Sequence, residues 1–291
     1  MKINIIGGNG LVGNGIASAL AKNHDIRVFG SSDFDRSTLK FKTSDVFDCD
    51  LFIHAAGITD EQVSNDYDHA VFKSNDFIRY IVDGLGKTGC SQIVYISTIH
   101  VFGNLNRDLC EKTFCSPLSK YSELHHKTER LFEKLIGKYS MNYLTLRVPT
   151  IYGFPKDKSR ITRPDIIQYA FPISVKNNNS ITLKSSGEQY RLFTSNLKVG
   201  EIITKWLDDP LKDRITVDVV QGKNITVKNF ANLCLEKYNA LKLTNPNLVI
   251  DADVKTDTSK SHKKIMVIPR YDCEEIYTVQ QFLDDFFLFY S

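Results

Sequence analysis

Little in this chain marks a secreted, membrane or metal-bound protein. Its six cysteines, Cys49, Cys90, Cys110, Cys115, Cys234 and Cys273, are scattered, with no CxxC pair and no metal-ligand spacing. That pattern argues against a disulfide framework or a zinc module and fits idle thiols in a reducing compartment, with no metal expected. No apolar run is long enough to span a bilayer. The first residues run straight into a structured motif, leaving no room for the charged and apolar regions of a signal peptide. The 37 basic and 34 acidic residues are well mixed, so no concentrated basic face points to nucleic acid. No internal repeat is present. The expectation is a cytoplasmic protein without a membrane or nucleic-acid partner. Its 291 residues, 42% of them hydrophobic, suffice for one large core or two lobes sharing an interface.

What is present is concentrated at the start. Lys2-Ile3-Asn4-Ile5-Ile6 reads as a short strand, Gly7-Gly8-Asn9-Gly10-Leu11-Val12-Gly13 as a glycine turn, and Gly15-Ile16-Ala17-Ser18-Ala19-Leu20 as an apolar helix. Gly7 allows the tight turn, Gly10 lets the backbone at Leu11 and Val12 approach a pyrophosphate, and Gly13 lets the helix pack closely on the strand. An ordinary strand-to-helix turn can share the glycines, but strand, turn and helix in register favour a dinucleotide site.

Strands and helices then alternate. Ile26–Phe29 reads as a second strand, and Leu51–Gly57 as a later one whose small residues Ala55 and Ala56 allow close approach of a cofactor. His69–Leu85 has helical spacing, Gln92–Ser97 is a buried strand, Tyr121–Ile136 a helix and Tyr143–Val148 a strand. The expected fold is α/β, a doubly wound parallel (Rossmann) sheet over residues 1–153 with a return segment around 191–220. A smaller C-terminal α/β substrate lobe occupies 154–291, with a strand at Ile215–Val220 and helices at Val227–Tyr238 and Val279–Tyr290.

Four further segments follow the glycine turn in fixed order: Tyr95-Ile96-Ser97-Thr98-Ile99-His100-Val101-Phe102-Gly103, Tyr121-Ser122-Glu123-Leu124-His125-His126-Lys127-Thr128-Glu129, Arg147-Val148-Pro149-Thr150-Ile151-Tyr152-Gly153, and Gly187-Glu188-Gln189-Tyr190-Arg191-Leu192-Phe193. Together with the turn they resemble the extended short-chain dehydrogenase/reductase family, the nucleotide-sugar epimerases, dehydratases and ketoreductases, over nearly the whole chain. The resemblance implies that Thr98 bonds the reacting sugar oxygen and that Tyr121 gives or takes its proton as hydride moves to or from nicotinamide. It also implies that Asn75 supports the cofactor region, that Arg191 binds the substrate diphosphate, and that two copies pair through the helices at His69–Leu85 and Tyr121–Ile136; Arg163, near a loop placed to cover a sugar, is a weaker diphosphate candidate on residue type alone.

Three departures qualify the resemblance. Where the family has a lysine four residues after the tyrosine, this chain has His125, expected to be partly charged near neutral pH and so to activate Tyr121 less. Lys127 lies two residues further and faces elsewhere on the helix. The acidic pair that dehydratases carry after the threonine is replaced by Ile99 and His100, which argues against dehydration and leaves His100 as a second acid/base or a pocket-lining residue. After the second strand, Gly30-Ser31-Ser32 stands where an NAD enzyme places a carboxylate, so Ser31, Ser32 and Arg36 point to NADP, with NAD the alternative. His54 is expected to be a satisfied structural residue. Reduction of a 4-keto nucleotide sugar is the first expectation and epimerisation of such a sugar the second; the third is a regulatory or scaffolding protein that binds the cofactor without turnover.

Overall fold

Ile3 and Ile5 are fully buried because β1 (Lys2–Ile6) lies inside a parallel sheet. The computed structural model describes residues 1–35, 37–57, 60–242, 244–251 and 263–290. From β1 the chain passes through α1 (Leu11–Leu20), β2 (Asp25–Phe29), the two-residue strands β3 (Phe34–Asp35) and β4 (Lys40–Phe41), then β5 (Leu51–His54), α2 (Asp60–Asn65) and α3 (Tyr67–Thr88). It continues through β6 (Gln92–Thr98), α4 (Lys120–Ile136), β7 (Asn142–Val148), β8 (Thr150–Tyr152), α5 (Ile167–Asn178), β9 (Ser180–Leu183) and β10 (Tyr190–Ser195). Last come α6 (Asn196–Asp208), β11 (Ile215–Val219), β12 (Lys223–Thr226), α7 (Val227–Lys242), β13 (Asn247–Ile250) and α8 (Val279–Phe289). No helix among the described residues is long and apolar enough to cross a membrane.

The central sheet has the order β11-β7-β6-β5-β1-β2, with every pairing parallel. Its strands read as continuous apolar runs because both faces are covered. On one face Ile3, Ile5, Ile53 and Val94 pack with Ile16 of α1 and Ile202, Ile203 and Trp206 of α6. On the other, Ile6, Phe52, Ile93 and Tyr95 meet Ile78, Ile81 and Leu85 of α3 and Phe132, Leu135 and Ile136 of α4. Strand order reverses at β1, which has β2 on one side and β5 on the other, so a crevice opens at the carboxyl ends of these three strands. A second sheet, β12-β10-β8, and the pair β13-β9 are covered by α5, α7 and α8 around Phe193, Phe230, Phe282 and Phe286.

Two elements differ from the sequence expectation. The strand expected at Leu51–Gly57 ends at His54, which leaves Ala55 to Gly57 as a loop at the sheet edge. Between β2 and β5 the chain forms only a small antiparallel hairpin, β3 with β4, flanked by 3-10 turns at Ser31–Asp33 and Ser44–Phe47. β2 is therefore the edge of the central sheet.

α1 and α6 approach to backbone contact. A Cβ built on Gly15 would lie 2.4 Å from the carbonyl carbon of Asn196, and one on Gly200 would lie 2.5 Å from Ala19 Cβ. Gly15→Val must push the helices apart and is expected to cost about 2–3 kcal/mol of stability. Urea denaturation reads this as a lower midpoint with an unchanged slope; equal stability would contradict the close approach.

Candidate functional site

The glycine turn forms a cradle at the end of β1. Gly7 has φ +78°, and a Cβ there would lie 2.6 Å from the Ala56 nitrogen. A Cβ on Gly13 would lie 2.4 Å from the Gly7 carbonyl oxygen, so side chains are excluded on both sides of the turn. Gly10 caps α1 without a side-chain hydrogen bond. Gly10 N–H closes the turn onto the Gly7 oxygen at 3.0 Å, and within α1 the first backbone N–H to turn back is that of Asn14, donating to the Gly10 oxygen at 2.9 Å. The N–H groups of Leu11, Val12 and Gly13 precede it and have no acceptor within the helix, while the Leu11 and Val12 side chains pack inward. Free donors at a helix N-terminus beside the strand crevice fit the diphosphate of a dinucleotide.

A cavity of about 480 Å³ opens beside this cradle. Its floor is a row across the sheet: Phe29 pairs with Ile6, Ile6 with His54, and His54 with Tyr95, so the four side chains share one face. Ser74 and Phe77 of α3 and Leu124, His125 and Thr128 of α4 form the walls, and Phe34 and Phe41 of the hairpin close one side. Phe34 meets Phe41 edge-on at 5.4 Å and Phe77 at 5.3 Å, which pins the hairpin to α3.

α4 begins sharply because Ser119 caps it in a capping box with Ser122. Tyr121 and His125 therefore stand one turn apart on one face, with ring centroids 4.6 Å apart. His125 Nδ1 lies 2.7 Å from the Tyr95 hydroxyl, inside the protein. Burial, aided by the nearby His54 and His100, pushes the His125 pKa down to about 3. The partial charge expected for His125 is thus absent: at neutral pH it is an uncharged hydrogen-bonding group. Thr98 ends β6, and its Oγ1 accepts the His100 backbone N–H at 3.3 Å.

Below this group lies a buried ion pair with no local signature in the sequence. Glu129 accepts from Arg147 Nε at 3.2 Å and Nη2 at 2.8 Å, and from the Ser97 hydroxyl at 2.5 Å. The Arg147 guanidinium also covers the Phe102 ring at 4.8 Å. β6, α4 and β7 are thereby tied together next to Thr98.

The remaining sequence candidates divide. Ser31 and Ala56 line the cavity, whereas Ala55 packs into the core. Ser32 is turned to the Asp33 carboxylate at 3.4 Å, and Arg36 lies outside the described residues. Asn75 is half-buried beside the lining face of α3, which is formed by Lys73, Ser74 and Phe77. His100 is exposed on the Ile99–Phe102 turn and does not line the cavity. The Arg163 guanidinium is held by Asp165 through two 3.0 Å bonds, the local pairing that competes with a diphosphate role. Arg191 stands exposed on β10 without a hydrogen-bond or ion-pair partner among the described residues. Surrounding protein still lowers its pKa by desolvation. His54 is not the satisfied residue expected: its Nδ1 is buried without a partner among the described residues, and burial pushes its pKa down to about 4.

Two further groups were missed. The Asp33 carboxylate accepts the Gly30 N–H at 2.8 Å just past β2, one residue beyond the Gly30-Ser31-Ser32 stretch that reads in the sequence as lacking a carboxylate. Cys115, His126 and Glu129 bring ligand atoms within 4.8 Å of one another, which no sequence spacing reveals. Glu129 is there already committed to Arg147 and Ser97.

Residues 3–215 match the NAD dependent epimerase/dehydratase family. The chain is 24% identical over 272 residues, 84% of each sequence, to an uncharacterised UDP-glucose epimerase of Bacillus subtilis (strain 168). Its fold matches UDP-N-acetylglucosamine 4-epimerase from Methanobrevibacter ruminantium M1 with TM-score 0.76 at 14% identity, covering 100% of this chain and 99% of that one. It also matches UDP-glucuronic acid 4-epimerase from Bacillus cereus, solved with UDP-glucuronic acid and NAD, with TM-score 0.72 at 19% identity over 91% and 90% of the two chains.

The uncharged histidines make stability pH-dependent. An unfolded chain protonates each near pH 6.5, whereas folded His125 and His54 wait until about pH 3 and about pH 4. Their contribution is full above pH 6.5 and is lost toward pH 4, at about 1.4 kcal/mol per pH unit for each imidazole. Asp218 acts oppositely, since burial raises its pKa to about 6 and the folded state keeps a proton that the unfolded carboxylate releases. Denaturation between pH 6 and 4 is expected to show a smaller net loss, which His125→Gln reduces by about 1.4 kcal/mol per pH unit. An unchanged slope in the variant would refute a neutral His125.

Proposed function

Because the chain belongs to the NAD dependent epimerase/dehydratase family, we propose that it is an epimerase that inverts a carbon of a nucleotide-activated sugar through transient oxidation. The observation that carries this reading is the α4 face on which Tyr121, itself outside the cavity lining, stands against His125, which lines the cavity, with β6 ending in Thr98 packed on the same helix. The glycine cradle would hold the diphosphate of NAD, whose nicotinamide would supply the hydride acceptor and donor. Tyr121, as its phenolate, would take the proton of the sugar hydroxyl as the carbon loses hydride, and the resulting phenol would give it back when hydride returns to the opposite face. Thr98 Oγ1 already accepts the His100 N–H, so its own proton is left to bond the sugar oxygen and hold it in place. His125 offers a hydrogen bond to the cofactor ribose without adding charge. Arg191, unpaired within the described residues, is assigned the sugar-nucleotide diphosphate.

Ile99 and His100 in place of an acidic pair disfavour dehydration. Ketoreduction uses the same proton donor and remains the second reading; the family likeness and the epimerase relative favour inversion. For the cofactor we favour NAD over NADP, because the Asp33 carboxylate at the end of β2 repels a 2′-phosphate.

Purified protein with NAD and a panel of UDP-hexoses, followed by NMR, is expected to interconvert one epimeric pair without net cofactor consumption. Tyr121→Phe is expected to lower kcat by about 10²–10⁴-fold and leave NAD affinity within about threefold, a factor smaller than one net hydrogen bond. Stoichiometric NADPH consumption on a keto sugar would replace epimerisation with reduction. His125→Lys places a positive charge one turn from Tyr121 and is expected to move the ascending limb of the pH–rate profile down by about one unit. An unmoved limb would remove Tyr121 from the proton-transfer step.

A further inference from the structure

The unusual residue at the site is His125, and the group that touches it most closely is Tyr95. Tyr95 is buried in the middle of β6, and its hydroxyl lies 2.7 Å from His125 Nδ1. Its ring is held from behind by Phe132 at 5.3 Å, and the His125 ring is met from the other side by Tyr121 at 4.6 Å. The three rings and their contacts leave His125 little rotational freedom.

We propose that Tyr95 is the positioning residue that lets a histidine stand beside Tyr121: it donates its phenol proton to His125 Nδ1 and so fixes the imidazole proton on Nε2 as a donor for a ligand in the cavity. The direction of the bond follows from the inventory of donors and acceptors. A buried hydroxyl must place its one proton, because leaving it unbonded forfeits the hydrogen bond it had in water. Thr128, which lies beside the phenol, shares its hydroxyl with Ser74 Oγ at 3.2 Å. An unprotonated imidazole nitrogen is the stronger acceptor of the two. A neutral imidazole has one acceptor and one donor, so Nδ1 as acceptor makes Nε2 the donor.

The pairing has a purpose that a lysine does not require. An ammonium presents three rotatable donors and needs no orienting partner. A neutral imidazole presents a donor in one tautomer and an acceptor in the other, and only a second residue can select between them. Tyr95 acts through His125 and touches no reacting atom in this scheme. Its role in turnover rests on the epimerase reading, but its effect on the imidazole does not.

Two measurements separate these. In protein labelled with 15N-histidine, with His125 assigned by its loss in His125→Gln, the wild type is expected to show an unprotonated Nδ1 and a protonated Nε2. Tyr95→Phe, which removes one oxygen, is expected to yield a mixture of tautomers. A protonated Nδ1 in the wild type, or an unchanged tautomer in the variant, overturns the proposal. NADH affinity by fluorescence is expected to fall about tenfold in Tyr95→Phe and less than about twofold when the same change is made in His125→Lys. Equal losses in both backgrounds would make Tyr95 a packing residue and overturn the proposal as well. If the wild type binds no dinucleotide, the epimerase reading fails, and the tautomer alone decides the role of Tyr95.

Discussion

Backbone contact around the first turn of α1 is the constraint on which the site depends. Gly13 must lie against Gly7 for the helix to start directly at the end of β1, and Gly15 must lie against Asn196 for α6 to cover the same helix. Asn196 then joins three segments: its amide donates to the Leu11 carbonyl at 2.8 Å and to the Phe154 carbonyl at 3.3 Å. Asn14 reaches the same Phe154 carbonyl at 3.0 Å. Gly153, at φ +135°, sits where a Cβ would strike the Asn196 side chain. The start of the cofactor helix, the exit from β8 and the start of α6 thus form one rigid junction. The unbonded N–H groups of α1 are held at the sheet edge because nothing at this junction can move independently.

The second constraint acts on the other face of the sheet. Burying Glu129 and Arg147 is costly unless their bonds are completed, and the Ser97 hydroxyl together with the bidentate Arg147 contact completes most of them. Arg147 Nη1 remains buried without a partner, so the pair is better understood as a positional device than as a source of stability. It fixes Ser97, next to Thr98, against Glu129, one turn beyond His125. The threonine on β6 and the tyrosine on α4 therefore keep their relation through a contact neither of them makes.

The legible part of this protein was the part written in local spacing. The glycine turn, the strand ending in Thr98 and the i, i+4 pair Tyr121 and His125 each carry their geometry within one element. Tyr95 reads in the sequence only as part of its strand, because its partner lies 30 residues away and is met only when β6 packs on α4. The β3–β4 hairpin has two-residue strands, too short for an alternating pattern, yet its Phe34 and Phe41 close the cavity. Ser32 and Arg163 were assigned to phosphates on residue type, and in each case an aspartate one or two residues away engages the side chain. The charge of His125 was misjudged for a related reason: a sequence gives the unperturbed imidazole, and only packing reveals how deeply it is buried.

The resemblance to the family leads one to expect a lysine that both holds the cofactor ribose and supplies charge beside the tyrosine; this chain has His125 at that position. His125 keeps the position and a hydrogen bond but carries no charge at neutral pH. Among the described residues lining the cavity, the one formal charge is on Lys73, in the α3 wall across from α4. An ammonium on that wall attracts an anion anywhere in the cavity, because Coulomb attraction falls only with the first power of distance in a poorly screened space. It cannot replace a short contact to Tyr121, since proton transfer responds to groups within a few ångströms of the phenol. Charge in the cavity and the hydrogen-bonding group beside Tyr121 therefore come from separate side chains in this structure: the first from Lys73, the second from His125, whose Nδ1 meets the Tyr95 hydroxyl.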